Sequence, residues 1–282
     1  LFRSMDLSKN KELLLAFEDS DKYEVYVNSK KVESNILGTW KDKSFETLDI
    51  KPFVQLGKNE IKFVGTFHQS QKVYDVLYGA GVYETELNKL TYDMEMESVY
   101  LIGDFGVVSN SPFETTIRNA MFTGGPFEIV DKPTKFSHNN FTTQGLLFFA
   151  ETITVQRNQE IRKMPNERII LQLGKQNAPL LKIYINGTYV KTSIWAPYEV
   201  DITDETVDGM NTITIECFAS NRNLFGPHHH INGECYNVGP SSFTGNWSWV
   251  ERESEADATD IADRTKNYWN DAYCFVDFGL SK

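Results

Sequence analysis

His228-His229-His230, followed by Glu234, is the densest cluster of chemistry-capable side chains in the sequence. Two imidazoles and a carboxylate at the spacing His228-x-His230-x3-Glu234 can hold Zn²⁺, Mn²⁺ or Fe²⁺ and leave coordination positions open. No histidine follows His230, and His68 and His138 both lie upstream. The competing reading is structural: Gly226-Pro227 turns the chain, and the imidazoles pack or hydrogen-bond at a domain edge. The stretch from Asn223 to Phe243 mixes Gly, Pro, His, Asn and Tyr, as a functional loop would.

A second chemistry open to these residues is sugar recognition. The C–H face of a pyranose stacks on an aromatic ring, while Asn, Asp, Glu or His pairs with its hydroxyls. Trp40, Trp195, Trp247 and Trp249 fall in or beside expected loops, with Tyr236 close by in sequence. Asn223, His228, His230 and Glu234 are the polar candidates beside them. Each Trp has an alternative use as a plug for the end of a sandwich. In Trp247-Ser248-Trp249 the alternation lets a ring be buried while Ser248 faces the other way.

Independent catalysis finds no support. Among 39 Asp and Glu residues, no pair is marked out as the two carboxylates of glycoside hydrolysis. GxSxG, P-loop, GxGxxG, HExxH and Cys/His nucleophile patterns are all missing from the sequence.

The elements that would position these residues show themselves through an internal repeat. Glu12–Phe17 (ELLLAF) recurs as Arg168–Leu173 (RIILQL), and Tyr23–Asn28 (YEVYVN) as Leu181–Asn186 (LKIYIN). Asp49-Ile50 precedes Asn59–Phe63 as Asp201-Ile202 precedes Asn211–Ile215. Tyr100–Gly106 (YLIGDFG) returns as Tyr273–Gly279 (YCFVDFG). The offsets of 156, 158, 152 and 173 keep the order and change only loop lengths, which predicts a duplicated domain. The segments are short and alternate: Val25 and Val27 on one face with Glu24, Tyr26 and Asn28 on the other, repeated by Ile183 and Ile185 against Lys182, Tyr184 and Asn186. Asn28-Ser29 and Asn186-Gly187 are hairpin signals. Helical periodicity is almost missing, with one short helix expected between Glu253 and Tyr268. The expectation is all-β: two jelly-roll β-sandwich domains in tandem. They would span residues 1–109 and 145–282, joined by a connector over 110–144, the second having the longer loops.

The chain of 282 residues has a formal net charge of −11 and is 40% hydrophobic and 24% charged, a globular composition. The acidic balance argues against nucleic acid or an anionic membrane as the main partner. The longest apolar run, around Leu146–Ala150, falls far short of the ~18 residues of a bilayer span, so membrane insertion is not expected. Three cysteines without CxxC spacing favour a reducing, cytoplasmic compartment over secretion. A start on Leu1 with no secretion signal reads as a fragment of a longer protein.

An apolar strand, a "VYVN" or "IYIN" strand and then a "D-I" step together resemble the galactose-binding-like β-sandwiches. More narrowly, they resemble the sugar-binding sandwiches of bacterial glycoside hydrolases of the family 2 and α-L-rhamnosidase type. Thr143–Ile153 (TQGLLFFAETI) is similar to the "QG-x-PF-x-AGT" opening strand of such domains, with Leu147 in place of Pro and Glu151 in place of Gly. Asn223–His230 (NLFGPHHH) resembles a segment of rhamnosidase-like hydrolases. The resemblance implies a non-catalytic accessory region that binds carbohydrate or braces the catalytic domain of the same polypeptide, since nothing resembles the catalytic barrel. Affinity for a mono- or disaccharide would be weak, on the order of micromolar to millimolar. The resemblance also implies a structural calcium, with Asp104, Asp277 and Asp201 as candidate ligands and a turn-capping role as the alternative. The histidine cluster separately approximates the first metal motif of cupins, also jelly rolls. That implies, as the alternative function, a metal-dependent enzyme using His228, His230 and Glu234.

Overall fold

The computed structural model describes residues 2–4, 12–33, 35–79, 81–87, 89–115, 120–136, 140–174, 176–235, 237–245 and 268–280. Tyr236, Trp247, Trp249 and, except for Tyr268, the helix expected over 253–268 lie outside the described residues. Strand accounts for 41% and helix for 12%, and the fold is an all-β sandwich. The chain divides into two compact units, one of residues 1–106 with 128–132 and the other of 107–127 with 133–282.

Unit 1 contains β1 (Phe2–Ser4), β2 (Leu13–Phe17), β3 (Glu24–Val27), β4 (Lys30–Lys31), β5 (Ile36–Trp40), β6 (Asp42–Asp49), β7 (Gly57–Asn59), β8 (Ile61–Val64) and β9 (Tyr100–Gly103). One sheet runs β5-β6-β2-β9 and another β4-β3-β8. Between them lie Leu13, Leu15 and Phe17 of β2, Val25 and Val27 of β3, and Leu48 and Ile50. Each such residue withdrawn from water stabilises the fold by roughly 1.5–3 kcal/mol. Val27 pairs with Lys30 across Asn28-Ser29, whose φ angles of 49° and 66° put both residues in the left-handed region. That is the twist a two-residue hairpin turn requires.

β10 (Phe105–Ser109) carries the chain onward to β11 (Glu114–Thr115), β12 (Ala120–Thr123) and β13 (Phe127–Asp131). β11, β12 and β13 fall within residues 110–144, expected as a connector. All of β13 but Phe127 belongs to unit 1, whereas unit 2 holds β14 (Thr152–Ile161), β15 (Ile170–Gln172), β16 (Leu180–Ile185), β17 (Thr188–Ser193), β18 (Glu199–Asp201), β19 (Gly209–Phe218) and β20 (Tyr273–Val276). A sheet in the order β14-β19-β16-β17 packs on the β15-β18 pair. Its core holds Leu181, Ile183 and Ile185 of β16, Ile215 and Cys217 of β19, Val200 of β18, and Phe278. The strict alternation of β16, buried at every second residue, is the one its sequence dictates. Ile185 pairs with Thr188 across Asn186-Gly187, with φ 51° and 83°.

Hydrogen bonds repeat between the units. Ile50 N–H donates to Leu13 O at 3.0 Å, and Ile202 N–H to Ile169 O at 2.9 Å. The correspondence stops at the last matched segment. β9 pairs with β2, whereas β20 pairs with β12 in a separate β11-β12-β20 sheet. The long excursion from Ala219 to Ala272 and the strands before β14 give β20 a different neighbour.

Helix is more frequent than periodicity suggested. α1 (Gln71–Tyr78) and α2 (Glu84–Leu87) lie between β8 and β9, and α3 (Arg222–Phe225) and α4 (Pro240–Thr244) between β19 and β20. α1 buries only Val73, so its sequence has no broad apolar stripe to signal it. No helix among the described residues is long and apolar enough to cross a membrane.

Candidate functional site

Residues 228–231 lie beside residues 268–274, with a bridge between His230 and Trp269. Cys274 N–H donates to His228 O at 2.6 Å, Asn270 N–H to His229 O at 2.7 Å and Ile231 N–H to Tyr268 O at 2.9 Å. His228 is enclosed by Phe148, Tyr273 and Phe275, and its Nε2–H donates to Asn223 O at 2.9 Å. Burial, with the nearby charges of Arg222 and His229, pushes its pKa down to about 4, so the ring is neutral at pH 7. His229 donates from Nδ1 to Asn270 O at 2.9 Å and stacks on Trp269, ring centroids 4.1 Å apart. His230 stacks on Tyr268 at 5.2 Å, its Nδ1 accepting from Asn232 N–H at 3.3 Å. Glu234 accepts from Arg222 Nε at 2.7 Å.

The side chains expected as a metal-binding triad, His228, His230 and Glu234, are all engaged in these contacts. Each group is aimed at its own protein partner, and no cluster of three metal-ligating side chains occurs among the described residues. Asn223 is equally engaged: its Nδ2 donates to Val276 O at 2.9 Å and its Oδ1 accepts from Val276 N–H at 2.8 Å, imitating a strand partner for β20. Backbone pairing and aromatic packing use these side chains as internal braces, which is the structural reading of Gly226–His230.

The aspartates expected as calcium ligands have partners within the protein. Asp201 Oδ1 accepts from Thr203 N–H and Oγ1, at 3.1 and 2.6 Å, while Oδ2 takes Arg168 at 2.7 Å. The Thr203 hydroxyl and Arg168 hold its pKa down to about 2. Asp49 caps the equivalent turn in unit 1, accepting from Lys51 N–H at 2.9 Å. Asp104 pairs with Lys132 at 2.7 Å. Asp277 accepts from Asn140 Nδ2 at 2.6 Å, and burial raises its pKa. Turn capping and pairing account for all three candidates.

The two tryptophans expected in related places have diverged. Trp40 ends β5 and is half-buried among Phe45 and Tyr100, at 6.4 and 5.5 Å between ring centroids, with Lys41 Nζ 5.7 Å above it. Trp195 follows β17 and is 74% exposed, beside Ile194 at 49%. Trp269, which the sequence did not single out, is partly covered by His229.

Nothing in the sequence marks Gln176, which meets the end of β17. Gln176, in the β15–β16 connection, is 8% exposed, and its Nε2 lies 3.5 Å from Ser193 O at the end of β17. Its Oε1 is the one buried side-chain oxygen without a hydrogen-bond partner among the described residues. Leu173 N–H bonds to Tyr198 O at 2.9 Å and Asn177 N–H to Gly279 O at 3.2 Å, tying this connection to both of its neighbours. Trp195 and Gln176 thus share one end of the unit 2 sandwich.

No protein-family model matches the chain, and no curated protein does. Among solved structures it is similar to an FMN-binding β-glucuronidase from Facaelibacterium prausnitzii L2-6, at 23% identity over 41% of this chain with a TM-score of 0.23. A rhamnosidase from Novosphingobium sp. PP1Y aligns at 14% identity over 90% of the chain, TM-score 0.27. A Streptomyces avermitilis α-L-rhamnosidase complexed with L-rhamnose aligns at 12% identity over 77%, TM-score 0.24. The chain spans about a fifth of the length of those proteins (18%, 20% and 21%). Overlaps this loose place no residue of this chain in a role.

Proposed function

We propose that this chain is a non-catalytic accessory region of a carbohydrate-processing enzyme, made of two copies of one galactose-binding-like sandwich, and that unit 2 contacts sugar through the Trp195 end. The observation that carries the reading is Trp195 itself. An indole 74% exposed on a loop tip gains nothing for the fold and offers a flat apolar face of the kind a pyranose stacks on. The strand and turn motifs that resemble sugar-binding sandwiches support the same class. Recognition is noncovalent, and no pair of acidic residues in the described structure is needed for it.

A bracing role has its own observation, in unit 1. Leu56, Phe67, Tyr78 and Tyr83 are each 66% or more exposed, large apolar side chains that packing against another domain of the same polypeptide would cover.

Glycan-array binding of the 282-residue chain, with and without EDTA, tests the proposal. Retention by a defined terminal sugar, unchanged by EDTA, is the expected result. Silence across the array removes sugar binding and leaves the bracing role.

A further inference from the structure

We infer that Trp269 and Asp271 form a second saccharide-binding site of unit 2, an assignment that rests on the sugar-binding reading above. The segment that carries them is fixed by its own bonds. Asn270 N–H donates to His229 O at 2.7 Å, His229 Nδ1–H donates to Asn270 O at 2.9 Å, and Ala272 N–H donates to Asn270 Oδ1 at 2.9 Å. The Trp269 indole lies nearly parallel to the His229 imidazole, with 4.1 Å between centroids and 18° between planes. Tyr273 sets its ring against the same imidazole at 4.5 Å. Trp269 Nε1–H donates to Asp271 Oδ1 at 2.9 Å, so turning the indole breaks that bond. Held at a face and at an edge, Trp269 is nonetheless 40% exposed.

A ligand that covers this indole gains apolar burial without the cost of ordering the side chain first. The indole N–H points outward in the ring plane, so its bond sets the carboxylate at the rim of the ring. Asp271 is exposed there. A carboxylate at the rim accepts a hydroxyl from a pyranose whose C–H face stacks on the indole. Its charge disfavours an anionic sugar, so the ligand class is a neutral saccharide. Trp195 and Trp269, two weak contacts on one unit, act together on a glycan-dense surface.

Fluorine NMR of the 282-residue chain labelled with 5-fluorotryptophan tests the assignment. The probes are methyl α-L-rhamnoside and methyl β-D-galactoside, joined by the methyl glycoside of any other neutral sugar retained on the array. Trp269→Phe identifies the Trp269 resonance among the five tryptophans. That resonance should shift saturably with one of the glycosides, and the Kd read from it should rise about five- to tenfold in Asp271→Ala. Thermal melting checks that the variant folds, and Asp271→Ser replaces it if it does not. An unchanged Kd in the folded variant overturns the role given to Asp271. A stationary Trp269 resonance while the array retains the chain overturns the site and leaves the sugar reading standing. If no resonance moves and the array is silent, the sugar reading falls and this assignment falls with it.

Discussion

Asn186 Nδ2 donates to Asn211 Oδ1 at 2.9 Å, and Asn28 Nδ2 donates to Asn59 Oδ1 at the same distance. The surrounding bonds match as well. Asn211 also donates to Val207 O and Gly209 O and accepts from Val207 N–H; Asn59 donates to Gln55 O and Gly57 O and accepts from Gln55 N–H. Each pair ties the hairpin turn of one sheet to the loop entering the next strand.

Asn211 is fully buried, so Asn211→Ala removes four hydrogen bonds, two to carbonyls and two from N–H groups. The expected loss is about 3 kcal/mol of unit 2 stability, read as a lower urea midpoint. Asn59→Ala should do the same to unit 1. A loss under about 0.5 kcal/mol would show that the network is incidental.

These asparagines also show what was legible in the sequence. Alternation along β3 and β16 and the Asn-Ser and Asn-Gly turns follow from residue type and period, so they could be read without a structure. Asn59 and Asn211 were visible as part of the repeat, but not as its fasteners, because their partners are backbone groups that no side-chain pattern announces. The pairing of β20 with β12 was hidden for a similar reason: YCFV suits any buried sheet position. His228, His230 and Glu234 have the spacing of ligands and the contacts of braces. Spacing cannot report that Arg222 reaches Glu234, the Asn223 carbonyl His228 and Asn232 N–H His230.

His228 makes stability pH-dependent. Its imidazole titrates near 4 in the folded protein and near 6.5 when unfolded, so the unfolded chain binds the extra proton between those values. The contribution is complete above pH 6.5 and is lost as pH falls toward 4, amounting to about 3 kcal/mol. Asp201, held down to about 2, titrates below this window. Asp277, raised by burial, acts with the opposite sign and is common to wild type and variant. The melting temperature of His228→Phe should therefore drop less between pH 7 and pH 5 than that of wild type. Equal drops would contradict a buried, neutral His228.

The thiols should differ in reactivity. Burial pushes Cys217 up to about 12 and also raises Cys274, whereas Cys235 is only half-buried. Since the thiolate is the reactive form, Ellman's reagent at pH 8 should modify one thiol quickly, Cys235, and the other two only in urea. Rapid reaction of Cys217 in the native protein would contradict the core packing.

The most direct test of the central claim compares glycan retention by wild type, Trp195→Ala and Trp40→Ala on the same array. Trp195 is exposed and Trp40 is packed among Phe45 and Tyr100, so truncating Trp195 should leave the melting temperature unchanged. Retention should fall at least tenfold in Trp195→Ala and persist in folded Trp40→Ala. Full retention by Trp195→Ala, with the sugar still bound, would contradict the account.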